Sequence, residues 1–392
     1  MEEHIGEGGF AKVTRRVIDG TEIAIKRIKW EHLDSAVREL IFIKSCSHEC
    51  IIRIQDVEAE PECVALIMKF YPTVLTAYRA RGPADVVAIS FGLFCACEYI
   101  HQMGIIHSDI KCDNILVEEG PAPKPVLCDF GISLRTEERR HVSTVQTVTY
   151  RAPEVDFSAK NPLHSPTIDI WSIGVVMFRV VSGHSMMNYI GGCEDSSVYA
   201  ARYFGVNGSS RSARLGALYR IGNIEIIARL LGSFGMNLQS PLYTSGVITA
   251  ISHSLHPNPT LRSKAKTLAD IMEKIVVKSY PEIKQVLGYR KRKGAPPSIT
   301  IRAEARTMDE LSCVVNAPVE VVGSCSVNCL NYAEMLYHTY ITRAGVDRLE
   351  VALACIYMAS ATYCDSSALK AILTVMDIEQ VRKYVAAILS VL

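Results

Sequence analysis

The stretch His107-Ser-Asp-Ile-Lys-Cys-Asp-Asn-Ile-Leu116 carries a carboxylate at Asp109, an ammonium at Lys111 and a carboxamide at Asn114 on one short loop. In-line phosphoryl transfer needs these three types. A carboxylate orients and deprotonates an alcohol, a cation holds the transferring phosphoryl group, and an amide oxygen holds a divalent metal ion. The apolar run Ile115-Leu116-Val117 follows at once and would anchor the loop on a buried strand. Asp129 offers a further hard oxygen donor within Val126-Leu-Cys-Asp-Phe-Gly131, a second short strand.

Other elements must position this loop and a phosphate-bearing substrate. Ile5-Gly-Glu-Gly-Gly-Phe-Ala-Lys-Val13 is a glycine-rich turn between β-branched residues, where Gly6, Gly8 and Gly9 let backbone N–H groups approach phosphates. The same composition suits an ordinary hairpin. Its value rises because Ile23-Ala24-Ile-Lys26 follows as an alternating strand that presents one lysine. Leu33–Lys44 has the apolar spacing of a helix facing a sheet, with Asp34 or Ser35 expected as its N-cap and Glu39 as the partner of Lys26. Val64–Tyr71 reads as a buried strand that breaks at Pro72, and Asp85–Met103 as a long apolar helix leading to the loop.

These motifs, in this order, resemble the protein kinase family. The glycine turn precedes a strand lysine, the opening loop matches H-R-D-L-x-x-x-N, and Asp129-Phe-Gly131 matches D-F-G. Ala152-Pro-Glu154 matches A-P-E, and Asp169-Ile-Trp-Ser-Ile-Gly174 matches the family's D-x-W-S-x-G. The resemblance implies an α+β bilobal kinase fold, with a β-rich N-lobe over 1–71 and a helical C-lobe over 72–285. It implies ATP and Mg²⁺ as cofactors. Phosphates would lie under Gly6, Glu7, Gly8, Gly9 and Val13, adenine would meet backbone groups of Lys69, Phe70 and Tyr71 beside the gatekeeper Met68, and Ile5, Ala24 and Leu116 would also bind the nucleotide. Lys26 would hold the α- and β-phosphates, Asn114 and Asp129 the metal, and Thr147 would brace Asp109 and Lys111. Arg262 is the expected ion-pair partner of Glu154.

Within the family, Lys111 two residues after Asp109 resembles the serine/threonine branch, and Leu33–Glu39 resembles the P-S-T-A-I-R-E helix by which cyclin-dependent kinases grip cyclins. Arg151 before A-P-E resembles members that prefer proline after the target, so the implied substrate is a protein with Ser-Pro or Thr-Pro. The pattern breaks where that family gathers three arginines around a phosphothreonine. Arg38 is kept, but Ser108 and Leu134 stand at the other two positions, with Arg135 one position off. The phosphoacceptor position falls near Val142, with Ser143 and Thr144 close by. Anion and anion-binding groups are lost together, which predicts a kinase that needs no activation-loop phosphate. The inhibitory Thr-Tyr pair of the glycine turn is replaced by Gly9-Phe10. A pseudokinase fits poorly with Lys26, Glu39, Asp109, Asn114 and Asp129 all in place.

The chain has 392 residues, a formal charge of +1 and 49% hydrophobic residues. These values suit well-developed cores and argue against a dominant nucleic-acid or membrane field. Thirteen cysteines, with Cys95-x-Cys97 and Cys325-x₃-Cys329 lacking partners at zinc spacing, read as reduced core thiols. The acidic start and the lack of an ~18-residue apolar run predict neither signal peptide nor membrane span, hence an intracellular protein, cytoplasmic or nuclear. The Gly/Ser-rich, arginine-dotted stretch 188–219 reads as a solvated loop, or else as a dock for an acidic partner.

Arg290-Lys-Arg-Lys293 and Ala295-Pro-Pro297 mark a linker over 286–324, the basic run suiting a nuclear address or a solvated charge cluster equally. From about Cys325 to Leu392 the pattern is helical, with Ala333 and Leu336 at helical spacing and capping boxes at Asp347 and Asp377. Val351–Ser360 resembles the central helix of a cyclin box, which implies an all-α, cyclin-like C-terminal domain. Three roles are open to it: an activator tethered to its own kinase, a transcription-factor-like docking module, or a helical cover for a kinase surface. A separate, external cyclin remains an alternative partner.

Overall fold

The computed structural model describes residues 2–8, 11–136, 145–156, 164–183 and 241–283. In the tail it describes Cys329, Ala333, Leu336, 353–359, Ile372 and 378–391. Gly9, Phe10, Val142, Ser143, Thr144, the 188–219 insert, the 286–324 linker and the capping residues Asp347 and Asp377 lie outside the described residues.

Strands β1 (Glu2–Glu7), β2 (Ala11–Ile18), β3 (Thr21–Lys29), β4 (Ile54–Ala59) and β5 (Cys63–Lys69) form one antiparallel sheet in the order β1-β2-β3-β5-β4. Asp19 and Gly20 turn β2 into β3 with φ of 48° and 77°, the left-handed pair that a two-residue hairpin demands. Alternation along β3 sends Ala24 and Ile28 to the main core and Ile23 and Ile25 to a small cluster on the other face. Lys26 shares the inward parity.

Helix α1 (Leu33–Ser45) lies beneath this sheet. Neither Asp34 nor Ser35 caps it. A 3₁₀ turn, Trp30–His32, winds directly into α1, and the Leu33 N–H finds its acceptor at Trp30 O, so no cap side chain is needed. Ten of the thirteen α1 residues are buried, around the whole circumference and not along one stripe. A helix buried in this way is covered on both sides.

The C-lobe is built on α2 (Pro83–Gln102), which packs against α4 (Thr167–Ser182) and α6 (Ala265–Ser279), with α5 (Pro241–Ser254) behind α4 and α6. A four-residue helix, α3, spans Pro153–Asp156. Contrary to the sequence expectation, α2 is long and apolar enough to cross a membrane, but 78% of its most apolar window is buried inside the protein. It is a core helix. Close packing explains Gly174 on α4, where a Cβ would lie 2.8 Å from Ser254 Cβ. Short strands sit on top: β6 (Thr73–Val74), β8 (Ile115–Glu118) and β9 (Lys124–Leu127) in one sheet, β7 (Ile105–Ile106) and β10 (Leu134–Arg135) in another.

The tail joins the same core. Helix α7 (Ile378–Val391) packs on β4, residues 353–359 are helical and at most 5% exposed, and their apolar side chains are continuous with those of α1. Cys95, Cys97 and Cys329 are free buried thiols, and no disulfide occurs among the described residues.

Candidate functional site

The pairing of β8 with β9 sets the centre. Ile115 lies opposite Leu127, so Asn114 and Cys128 flank the same end of the ladder, joined by Cys128 N–H donating to Asn114 O at 3.0 Å. The two oxygen-donor residues Asn114 and Asp129 are brought together by that register. The Asn114 amide nitrogen donates to Asp109 O and Asp109 Oδ2, each at 2.9 Å, which leaves its carbonyl oxygen to face a cation. Asp129 gives Oδ1 to Lys26 at 2.9 Å while its side chain stays 42% exposed. Two hard oxygen donors at the same end of the ladder suit a divalent cation.

Asp109 is held by four donors. Thr147 Oγ1 (2.7 Å) and Thr147 N–H (3.1 Å) reach Oδ1, and Lys111 Nζ (2.8 Å) and Asn114 Nδ2 (2.9 Å) reach Oδ2. Lys111 also donates to Thr147 Oγ1 at 3.2 Å. The carboxylate is thereby aimed, with few alternative orientations.

Lys26 Nζ bonds both Glu39 oxygens, at 2.8 and 2.7 Å, from opposite sides of the sheet–helix interface. Burial alone would lower the Lys26 pKa, but the carboxylates of Glu39 and Asp129 overcome it and hold the ammonium above its ordinary value. Burial likewise pushes Asp129 up, and the adjacent Lys26 ammonium more than reverses this, keeping it below the usual carboxylate range. Val13 pairs with Lys26 across β2–β3 and Ala24 with Met68 across β3–β5. Half-buried Leu116 lies on β8 below. Ile5, Gly6 and Glu7 belong to β1 and Gly8 follows it. At the far end of β5, Lys69 pairs with Glu118, Phe70 N–H donates to Glu22 O at 3.4 Å, and the chain turns outward at Tyr71.

Several positioning groups were invisible to residue type. Ser108, Asp129 and Gln146 all take left-handed backbone, with φ of 68°, 64° and 60°. Non-glycine residues occupy this region at a cost and only where surroundings enforce it. Asp169 on α4 enforces the first. Fully buried, it accepts the His107 N–H (2.8 Å), the Ser108 N–H (2.9 Å) and a bond from His101 Nε2 (2.9 Å). Cys97 lies close to this pair, and burial pushes its thiol far above the ordinary range. The D-x-W-S-x-G motif was the available signal for Asp169. Nothing in the sequence pointed to Gln146. Its backbone carbonyl accepts from Arg151 Nε (3.3 Å) and Nη2 (3.0 Å), while its side chain bonds Ile168 O, Ser172 Oγ and Ala152 N–H.

His107 is buried, and burial lowers its pKa. Nε2–H donates to Cys128 O (3.1 Å) and Nδ1 accepts the Asp109 N–H (3.2 Å), a pattern only neutral imidazole can make. An unfolded histidine takes a proton near pH 6.5 and the folded one resists it. Stability from this group is therefore complete above that pH and is lost as pH falls below it. We expect up to about 1.4 kcal/mol per pH unit from this one group. Urea unfolding of wild type and His107→Asn between pH 7.5 and 5.5 checks it, with a shallower slope for the variant.

Arg38 Nη1 donates to Ser133 O at 2.8 Å. Ser108 is fully buried, its hydroxyl turned back to Ile106 O. Leu134 is fully buried in the β10–β7 pair, and Arg135 stacks on Phe42 at 5.3 Å. Glu154 receives Arg262 through both oxygens, at 2.6 and 2.8 Å.

A family model described as "Protein kinase domain" matches residues 1–270. Among curated proteins the chain is similar to the serine/threonine-protein kinase RAD53 of Saccharomyces cerevisiae, 28% identical over 47% of this chain and 25% of that protein. It is similar to the serine/threonine-protein kinase SAPK4 of Oryza sativa subsp. japonica (31%, over 46% of this chain and 52% of that protein). Cyclin-dependent kinase 14 of Xenopus tropicalis is 27% identical over 46% of this chain and 45% of its own length. The chain thus spans between about a quarter and about a half of the length of these relatives.

Proposed function

The chain belongs to the protein kinase family, and from that membership we propose that it transfers the γ-phosphate of ATP to serine or threonine hydroxyls of proteins, with a preference for targets followed by proline. The observation that carries the transfer is the closed set Asp109–Lys111–Thr147–Asn114, in which a fixed carboxylate stands beside an ammonium that can follow the γ-phosphoryl group. Asp109 receives the substrate hydroxyl proton, and Lys111 steadies the developing phosphoryl charge. Lys26, set by Glu39, holds the α- and β-phosphates, with adenine between Ala24 and Leu116 and against Met68–Tyr71. Mg²⁺, held by Asn114 and Asp129, would neutralise phosphate charge. Positioning and electrostatics supply most of the rate.

The preference for proline rests on Gln146. Its carbonyl, swung round by the left-handed backbone, already accepts two bonds from Arg151. A substrate residue arriving there with an N–H meets no acceptor, and an unsatisfied donor costs about 1–3 kcal/mol. Proline has no N–H to satisfy. Arg151→Ala should release the carbonyl and cut the rate ratio between Ser-Pro and Ser-Ala peptides roughly tenfold; an unchanged ratio in kcat/KM would reject this reading.

Two finer features belong to the same proposal. The enzyme is cyclin-dependent-kinase-like yet independent of activation-loop phosphate, supported by Arg38 engaging Ser133 O and by Ser108 and Leu134 being buried. The cyclin-like tail acts as the activator in cis, supported by its packing against β4 and the core it shares with α1.

A further inference from the structure

Helix α1 reaches the site through three residues. Glu39 bonds Lys26, Ser35 Oγ donates weakly to Gly131 O (3.4 Å), and Arg38 donates to Ser133 O. Ser133 Oγ in turn donates to His107 O at 3.0 Å, at the start of the loop that carries Asp109. The approach at Gly131 is close, since a Cβ there would lie 2.8 Å from Ser35 Oγ. Whatever fixes the placement of α1 therefore fixes the ion pair, the Asp-Phe-Gly segment and the catalytic loop together.

Among the described residues, the tail meets the start of this helix at Asp34 and the turn before it at Trp30. Tyr357, 5% exposed within the buried stretch 353–359, donates its hydroxyl to Asp34 Oδ1 at 2.6 Å across 323 residues of sequence. Arg382 on α7 lies 5.8 Å from the centroid of the Trp30 ring, and Trp30 Nε1 donates to Glu60 O at 3.0 Å. Both contacts fall on residues 30–34, where a 3₁₀ turn takes the place of a side-chain cap.

We propose that Tyr357 is a positioning residue for phosphoryl transfer: its hydrogen bond to Asp34, seconded by Arg382 on Trp30, latches α1 in the placement that sets Glu39 against Lys26. This rests on the reading of the tail as an activator in cis and names the contact through which it acts. With this latch in place the chain is active as a monomer with no separate activator on α1.

The test uses the full chain and conservative changes. Tyr357→Phe keeps the ring packing and removes only the hydroxyl. Asp34→Ala removes the acceptor, and Asp34→Asn keeps an amide oxygen that still accepts from a phenol. We expect Tyr357→Phe and Asp34→Ala each to lower kcat about fivefold, the size set by loss of one hydrogen bond. The double variant should be no worse than the poorer single one, Asp34→Asn should stay near wild type, and hydrogen exchange over 33–45 should quicken in the two damaging variants. A merely structural bond would lower the melting temperature yet leave kcat, well below it, and exchange over 33–45 unchanged relative to the rest of the chain. That result overturns the proposal. So does an additive loss in the double variant. If wild type and Asp109→Asn transfer equally little phosphate, the kinase reading is what has failed, and the exchange measurement still decides the latch.

Discussion

Asp109→Asn is expected to lower kcat by about 10³-fold, with KM for ATP nearly unchanged. The geometry says why a neutral isostere is so damaging. Oδ1 accepts twice from Thr147, and Oδ2 accepts from Lys111 and Asn114. A carboxamide must turn its NH₂ toward one of these donor pairs, so either the Thr147 N–H or both Lys111 and Asn114 lose their acceptor and the group swings off its aim. Lys111 loses its counter-charge at the same moment. The groups proposed to hold ATP, Lys26 with Glu39 and Asp129, are joined by bonds that do not pass through Asp109. A loss in kcat alone, read by steady-state kinetics on a Ser-Pro peptide, is the signature of an interaction made in the transition state. A comparable rise in KM for ATP would place Asp109 in nucleotide binding instead.

Arg262→Met is expected to destabilise the fold by about 3–5 kcal/mol, the loss typical of breaking one side of a buried ion pair. The Arg262 side chain has no solvent exposure. Its guanidinium holds both oxygens of Glu154, donates to Thr167 O and His256 O, and lies 5.2 Å from the Trp171 ring centroid. Removing it strands the Glu154 carboxylate beneath the segment that carries Ala152, Arg151 and Gln146. A urea titration should show the lower midpoint. The paired change Glu154→Gln with Arg262→Met should recover part of the loss, because no charge is then left unpartnered.

The contrast between these two sites and the latch shows what a sequence can and cannot display. The motifs name Lys26, Glu39, Asp109, Lys111, Asn114, Asp129 and Thr147, and these residues lie in two hydrogen-bonded sets, Lys26 with Glu39 and Asp129, and Asp109 with Lys111, Asn114 and Thr147. Chemistry at such a site needs particular atoms, and atoms are written in residue types. The elements that carry or flank them, β3, α1, β8 and β9, show in alternation and apolar runs because each buries one face or the whole of itself. Backbone conformation is not written that way. Ser108, Asp129 and Gln146 adopt left-handed φ under tertiary pressure from groups such as Asp169, and no local preference of serine or glutamine announces it. The absent N-cap of α1 has the same origin. Asp34 looked like a cap because its local sequence suits one, but a preceding 3₁₀ turn satisfies the backbone, and the carboxylate is bonded by Tyr357 from the far end of the chain. Likewise α2 has the composition of a spanning helix and is enclosed by α4 and α6. Composition does not distinguish a lipid surround from a protein one.

We propose that this single chain transfers phosphate to Ser-Pro or Thr-Pro targets without a separate activator or a phosphorylated activation loop. It is tested most directly on the full chain expressed in a host that lacks activating kinases, with mass spectrometry establishing that the segment 137–144 carries no phosphate. Incubated with Mg²⁺-ATP and a Ser-Pro peptide, the wild-type protein should place phosphate on the serine and Asp109→Asn should not. A wild-type chain that stays silent until a second kinase or a separate cyclin is added would contradict the account.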